Sequence, residues 1–314
     1  MSVRVLFMGT PDFAVPVLEA LVHSPYEVIG VVTQPDRPKG RKKALTPPPV
    51  KQAAVRYGLP VLQPERIRGE AACQSILDMQ PDLIVTAAYG QLLPTPILHA
   101  PRYGCINVHA SLLPKYRGGA PIHWAIINGE RETGITLMYM VEELDAGDII
   151  AQHAVPIHPQ DTVGSLHDRL KELGARLLMD TMPALLAGQI RPTPQDDSKA
   201  TYAPNLRRED ERIDWHRTAE EVYNRIRGLN PWPVAYSTFR GETWKIWWGR
   251  PVRREHQAPP GTILEVTQEA VIVACGRDAL EILQIQPSGK TRMTVADYLR
   301  GRTIQPGECF ESGG

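Results

Sequence analysis

Strand and helix signals alternate over about the first 190 residues of this 314-residue chain, after which helical signals nearly cease. Apolar runs at residues 3–8, 27–33, 82–88, 103–108 and 134–140 have the length and composition of buried strands. Stretches at 12–22, 50–57, 70–79, 121–128 and 161–187 read as helices, the first with Asp12 placed to cap it. Such alternation predicts a mainly parallel, doubly wound, Rossmann-like sheet. Beyond a Pro-rich polar stretch, a single helix at 218–228 precedes short strand candidates at 234–239, 243–248, 262–266, 270–274 and 279–285, separated by Gly- and Pro-rich turns. That pattern predicts a small β-barrel or sandwich. The expected division is an α/β domain over 1–188, a linker over 189–205 and a β-barrel domain over 206–314, which holds five of the six tryptophans.

Charge narrows the partners. Thirty-five basic residues balance 35 acidic ones, so no global field attracts a polyanion or a membrane. A local patch must do so instead. Arg37, Lys39, Arg41, Lys42 and Lys43 put five cations in seven residues with no acid among them. Pro35, Pro38 and Pro47 to Pro49 bracket them, which predicts a loop able to contact phosphates; the alternative is a solvated surface loop. The cluster Arg250, Arg253 and Arg254 is weaker. Cys73, Cys105, Cys275 and Cys309 are isolated, which argues against a disulfide framework and for a reducing compartment. The chain enters a strand at once, without the pattern of a signal or transit peptide, and no apolar run is of bilayer length. A cytoplasmic protein without membrane contact is expected.

Residues 107–114, Asn-Val-His-Ala-Ser-Leu-Leu-Pro, carry the chemistry. Asn107 and His109 stand two apart, on one face of a strand, and the chain turns immediately after them. That places an amide and an imidazole at the carboxyl end of a strand, where open α/β sheets bind ligands. Asp145 lies in a turn after the next strand and can hold the imidazole, fixing its tautomer and favouring its charged form; by spacing alone Asp148 serves equally. The turn Gly9-Thr10-Pro11-Asp12-Phe13 has one glycine where a dinucleotide site needs three, and reads as structural. The sequence has no metal-ligand cluster and no nucleophile elbow, so neither a metal nor a covalent intermediate is expected.

Asn107-x-His109-x-Ser111-Leu112-Leu113-Pro114, then Arg117-Gly118 and Ala120-Pro121-Ile122, together with Leu144-Asp145-x-Gly147-Asp148, resemble the signature of the folate-dependent formyltransferases. The segments 9–13, 33–38, 49–51, 213–215 and 230–233 resemble, within that superfamily, the methionyl-tRNA formyltransferase family, and the resemblance runs from about residue 3 to about residue 300. It implies formyl transfer from 10-formyltetrahydrofolate to the α-amino group of methionyl initiator tRNA. It further implies an OB-like C-terminal barrel and a catalytic set of Asn107, His109 and Asp145. It puts the folate beside Ser111, Leu112, Leu113 and Pro114, and the tRNA acceptor end at the basic loop around Arg41. A monomer is expected. The catalytic set alone leaves other amine acceptors open; the basic loop and the β-rich domain favour tRNA.

Overall fold

The computed structural model describes residues 2–40 and 43–311. It divides into two compact units: one of Met1–Pro121, Glu132–Val155 and His167–Pro204, the other of Ile122–Arg131, Pro156–Leu166 and Asn205–Gly314.

The first unit is built on nine strands: β1 (Arg4–Gly9), β2 (Glu27–Val32), β3 (Arg37–Lys39), β4 (Ala44–Thr46), β5 (Val61–Leu62), β6 (Leu83–Ala87), β7 (Cys105–His109), β8 (Glu132–Tyr139) and β9 (Ile149–Pro156). Seven form one sheet in the order β5-β2-β1-β6-β7-β8-β9. The first five are parallel, and β8 runs antiparallel to β7. Helices α1 (Val15–Val22), α2 (Pro49–Arg56), α3 (Glu70–Leu77) and α4 (Thr95–His99) supply the crossovers. The central strands are continuous apolar runs because both of their faces are covered. Leu6, Val5, Phe7, Ile84 and Val85 are fully enclosed, each burial stabilising the fold by roughly 1.5–3 kcal/mol.

The chain lays β2 and β5 to one side of β1 and then returns to lay β6 and β7 on the other. Adjacent crossovers therefore diverge at the carboxyl ends of β1 and β6, which opens the crevice such sheets use for ligands. Across it, Thr10 Oγ1 donates to the Tyr89 carbonyl at 2.9 Å.

Three local expectations change. Asp12 does not cap α1: a 3-10 turn over Asp12–Ala14 opens the helix, with Pro11 as its cap and no side-chain hydrogen bond. The basic segment is not an open loop: β3 and β4 pair antiparallel, Arg37 with Thr46 and Lys39 with Ala44. Asp36 roots that hairpin, bonded by Lys51 Nζ of α2 at 2.9 Å and by Gln63 Nε2 at 2.7 Å. The Lys51 and Gln63 bonds hold the Asp36 carboxyl below the usual carboxylate range. Finally, residues 193–203 are tied to the first unit: Thr193 bridges Ile149, and Arg117 N donates to the Thr201 carbonyl.

The remaining helices are α5 (Pro121–Ile127), α6 (Val163–Leu186), α7 (Ala219–Gly228) and α8 (Val295–Leu299). The second unit carries β10 (Tyr236–Phe239), β11 (Glu242–Val252), β12 (Ile263–Val266), β13 (Val271–Ala274), β14 (Ala279–Pro287), β15 (Met293–Thr294) and β16 (Phe310–Glu311). They form an antiparallel sheet in the order β12-β13-β14-β11-β10-β16, with β15 on β14. A bridge between Thr262 and Cys309 joins the β12 end to the β16 end and rolls the sheet toward a barrel, as in an OB-like fold. Register shifts around Trp248 let the long β11 bend, the usual effect of a bulge. The interior is aromatic: Phe239 stacks on Phe310 at 4.7 Å, and Trp244 meets Phe239 and Tyr298 edge-on, each at 4.9 Å. Trp215, fully enclosed, donates its indole N–H to Ser237 Oγ at 3.0 Å.

Candidate active site

The site is built on β7. In its register Asn107 lies between Thr86 of β6 and Met138 of β8, and His109, the last residue of the strand, opposite Thr136. Thr86 Oγ1 donates to Asn107 Oδ1 at 2.8 Å. The amide is thereby oriented, and its Nδ2 donor has no partner among the described residues. His109 is 6% exposed, and its Nε2 lies 2.9 Å from the Tyr116 carbonyl. A carbonyl only accepts, so Nε2 carries the proton and Nδ1 is the working nitrogen. Nδ1 stands 3.7 Å from Asp145 Oδ2, an ion-pair distance rather than a hydrogen bond.

Asp145 arrives by an indirect route. Because β8 is antiparallel, its end lies beside Ile106, not at the carboxyl edge of β7. The turn that follows folds back along β7 and carries Asp145 to His109. Two residues make that course possible. Asp145 itself adopts a left-handed backbone, φ 51°. Gly147 passes so close to Tyr139 that a Cβ would sit 1.7 Å from its carbonyl oxygen. The Gly118 N–H donates to Asp145 Oδ2 at 2.8 Å and fixes the carboxylate. Asp148, equivalent by spacing, is exposed.

The turn after β7 is stapled from β8 and β9. Thr136 Oγ1 donates to the Ser111 carbonyl at 2.6 Å, and the Leu113 N–H and Gln152 Nε2 both donate to Thr136 Oγ1. Ser111 is fully buried and gives its hydroxyl to the Lys115 carbonyl. Leu113 is buried as well, whereas Leu112 and Pro114 are half-buried. Of these four residues, only Leu112 and Pro114 have side chains left for a ligand. Exposed apolar groups stand elsewhere: Leu92 after β6, and Val141 and Leu144 before Asp145, are each 44–47% exposed. Their loops meet where Thr95 Oγ1 donates to Glu142 Oε1 at 2.5 Å. Leu144 belongs to the signature that starts the Asp145 turn, whereas no sequence motif marks Leu92 or Val141. An apolar residue in a polar loop beside a catalytic candidate was the available signal.

Cys105 shares the face of Asn107 but is no nucleophile, since burial pushes its thiol up to about 12. Asp12, His167 and Asp168 gather within 4.8 Å of one another, a set the sequence spacing hid. Lys171 Nζ lies 2.6 Å from Asp12 and 3.4 Å from Asp168, so an ammonium of the chain itself supplies the positive charge there. The bond to Asp12 raises the Lys171 pKa, and the bond from His167 lowers that of Asp168.

The hairpin holds its cations in solvent. Arg37 pairs loosely with Glu65 at 3.1 Å, with both side chains more than 60% exposed. Lys39 and Lys43 are exposed and form no ion pair among the described residues. Arg41 and Lys42 lie outside the described residues.

Residues 1–182 match the formyl transferase family, and residues 205–303 match the formyl transferase C-terminal domain. The methionyl-tRNA formyltransferase of Bacillus velezensis is 57% identical over 308 residues, covering 98% of this chain and 97% of that protein. That of Bacillus subtilis is likewise 57% identical with the same coverage. Among solved structures, the sugar 3N-formyl transferase WlaRD, described with dTDP and 5-N-formyl-THF, superposes with a TM-score of 0.68 at 18% identity over 93% of this chain and all of that one. HypX from Aquifex aeolicus in complex with tetrahydrofolic acid gives 0.61 at 21% identity, over 95% of this chain and 47% of the longer protein. The chain belongs to the formyl transferase family and, within it, to the methionyl-tRNA formyltransferases.

Proposed function

We propose that this chain transfers the formyl group of 10-formyltetrahydrofolate to the α-amino group of methionyl initiator tRNA, and that Asn107, His109 and Asp145 carry the reaction. The observation that carries this reading is the oriented amide of Asn107, whose Nδ2 has no partner among the described residues, beside the enclosed His109–Asp145 pair.

The chemistry asks for little more. The nucleophile is a free amine; an ordinary α-amino group titrates near pH 8, and the neighbouring ester lowers that further, so much of it is deprotonated at neutral pH. Attack on the formyl carbon makes a tetrahedral oxyanion, which Asn107 Nδ2 stabilises as a preorganised donor. The amine must then lose a proton while the departing folate nitrogen gains one. His109 Nδ1 is the group for that transfer, because Nε2 is held by Tyr116. Asp145 keeps the ring oriented and offsets the charge it takes on. The pterin of the donor fits against Leu92, Val141 and Leu144, whose exposed apolar surfaces suit a flat aromatic ligand. Leu112 and Pro114 offer the side chains of the turn after β7; Ser111 and Leu113 act by shaping that turn.

Arg37, Lys39, Arg41, Lys42 and Lys43 meet the phosphates near the acceptor end of the tRNA, and the barrel unit supplies further tRNA contact. No helix among the described residues is long and apolar enough to cross a membrane, and a charged-tRNA substrate places the work in the cytoplasm.

The test is incubation with labelled 10-formyltetrahydrofolate and, separately, methionyl initiator tRNA or free methionine. Label should pass to the aminoacyl-tRNA far more efficiently. Comparable formylation of free methionine would overturn the tRNA reading.

A further inference from the structure

Gln195 lies in the segment that reads from sequence as a linker, yet it bonds to the turn that bears Asp145. Its Nε2 donates to the carbonyls of Asp145 and Gly147, both at 2.7 Å. Its Oε1 accepts from Arg117 Nε at 3.2 Å and Nη2 at 2.9 Å. Arg117 is only 4% exposed, and Nη2 also reaches Asp197 at 2.6 Å. Its backbone is pinned by bonds to Thr201 and Ala203.

The chemistry of this junction admits one side-chain amide and little else. Guanidinium only donates and the two carbonyls only accept, so the residue between them must accept at one end and donate twice at the other. Glutamine does both. Glutamate cannot donate when ionised, and an apolar residue does neither. The turn it grips departs from ordinary backbone geometry, with Asp145 in the left-handed region and Gly147 against Tyr139. A turn with such geometry needs outside bonds to persist. The same segment also fixes the loop that holds His109: Thr201 Oγ1 accepts from Tyr116 N at 2.9 Å, and the Tyr116 carbonyl is the partner of His109 Nε2.

We infer that Gln195 is a positioning residue for formyl transfer, clamping the Asp145 turn to the buried Arg117 so that the carboxylate stays at His109. This rests on the proposed role of Asp145. A displacement of about 1 Å at a catalytic group costs up to about a hundredfold in rate, so a loss of about tenfold or more is expected when the clamp opens.

The experiment measures kcat, both KM values and the melting temperature in the full chain for Gln195→Met, Gln195→Glu, Asp145→Ala and the double variant Asp145→Ala/Gln195→Met. Methionine keeps the length and removes the amide; glutamate keeps the Arg117 contact and removes the donors. Both should lower kcat about tenfold or more, with both KM values within about twofold of wild type. In the Asp145→Ala background Gln195→Met should change nothing further, because the group it positions is gone. A wild-type kcat in the Gln195 variants overturns the inference, as does an equal further loss in the Asp145→Ala background, which a merely structural role would produce. A near-wild-type rate for Asp145→Ala alone overturns the reading of the site itself.

Discussion

At the end of β7 the polar atoms are enclosed and bonded one to another, whereas on the β3–β4 hairpin they stand in solvent. Thr86 holds Asn107, and Tyr116, His109, Asp145 and Gly118 form a second linked set beside it; Asn107 Nδ2 has no partner among the described residues. On the hairpin, Arg37 has one exposed acidic neighbour, and Lys39 and Lys43 form no ion pair among the described residues. On the proposed function the difference separates two tasks. Stabilising a developing charge needs donors whose direction is settled before reaction. Attracting a phosphate backbone needs only net positive charge, and its effect grows with each phosphate neutralised and fades with salt.

Four substitutions probe that contrast, in descending effect. Asn107→Ala should lower kcat about a hundred- to thousandfold, the cost of one oxyanion donor, with an unchanged melting temperature; single-turnover rates check it. Gly147→Ala should come next, with a loss approaching about a hundredfold, since its Cβ would meet the Tyr139 carbonyl and displace Asp145. Thr86→Val keeps the shape of the side chain but frees Asn107 Oδ1, and kcat should fall about tenfold with KM nearly unchanged. Glu65→Ala should act in the opposite direction and weakly: removing the acid beside Arg37 should lower the KM for tRNA by no more than a few-fold, the scale of an exposed ion pair.

The local geometry of much of the candidate site was legible in the sequence. The two-residue spacing of Asn107 and His109 gave a shared face, and the alternating elements gave a parallel sheet to put it on. What escaped had a physical reason in each case. Thr86 belongs to the neighbouring strand, and register across a sheet is a tertiary property. β9 (Ile149–Pro156) has a largely exposed pattern with Gln152 and His153 inside it, so no apolar run announced it. The hairpin pairs over three residues on each side of a turn at Gly40 and was hidden among prolines. Gln195 stood in a Pro-rich polar stretch that reads as linker, because backbone bonds to a distant loop leave no periodicity in the sequence. Asp12 resembled a helix cap, but its carboxylate reaches Lys171 instead.

The most direct test of this division of labour is the slope of log kcat/KM for methionyl-tRNA against log salt, measured for wild type, Asn107→Ala and Lys39→Ala/Lys43→Ala. The hairpin variant should flatten the slope by about 0.9 for each phosphate left without its cation while keeping kcat, and Asn107→Ala should lose kcat on an unchanged slope. A hairpin variant that runs parallel to wild type, or an Asn107 variant with an altered slope, would contradict it.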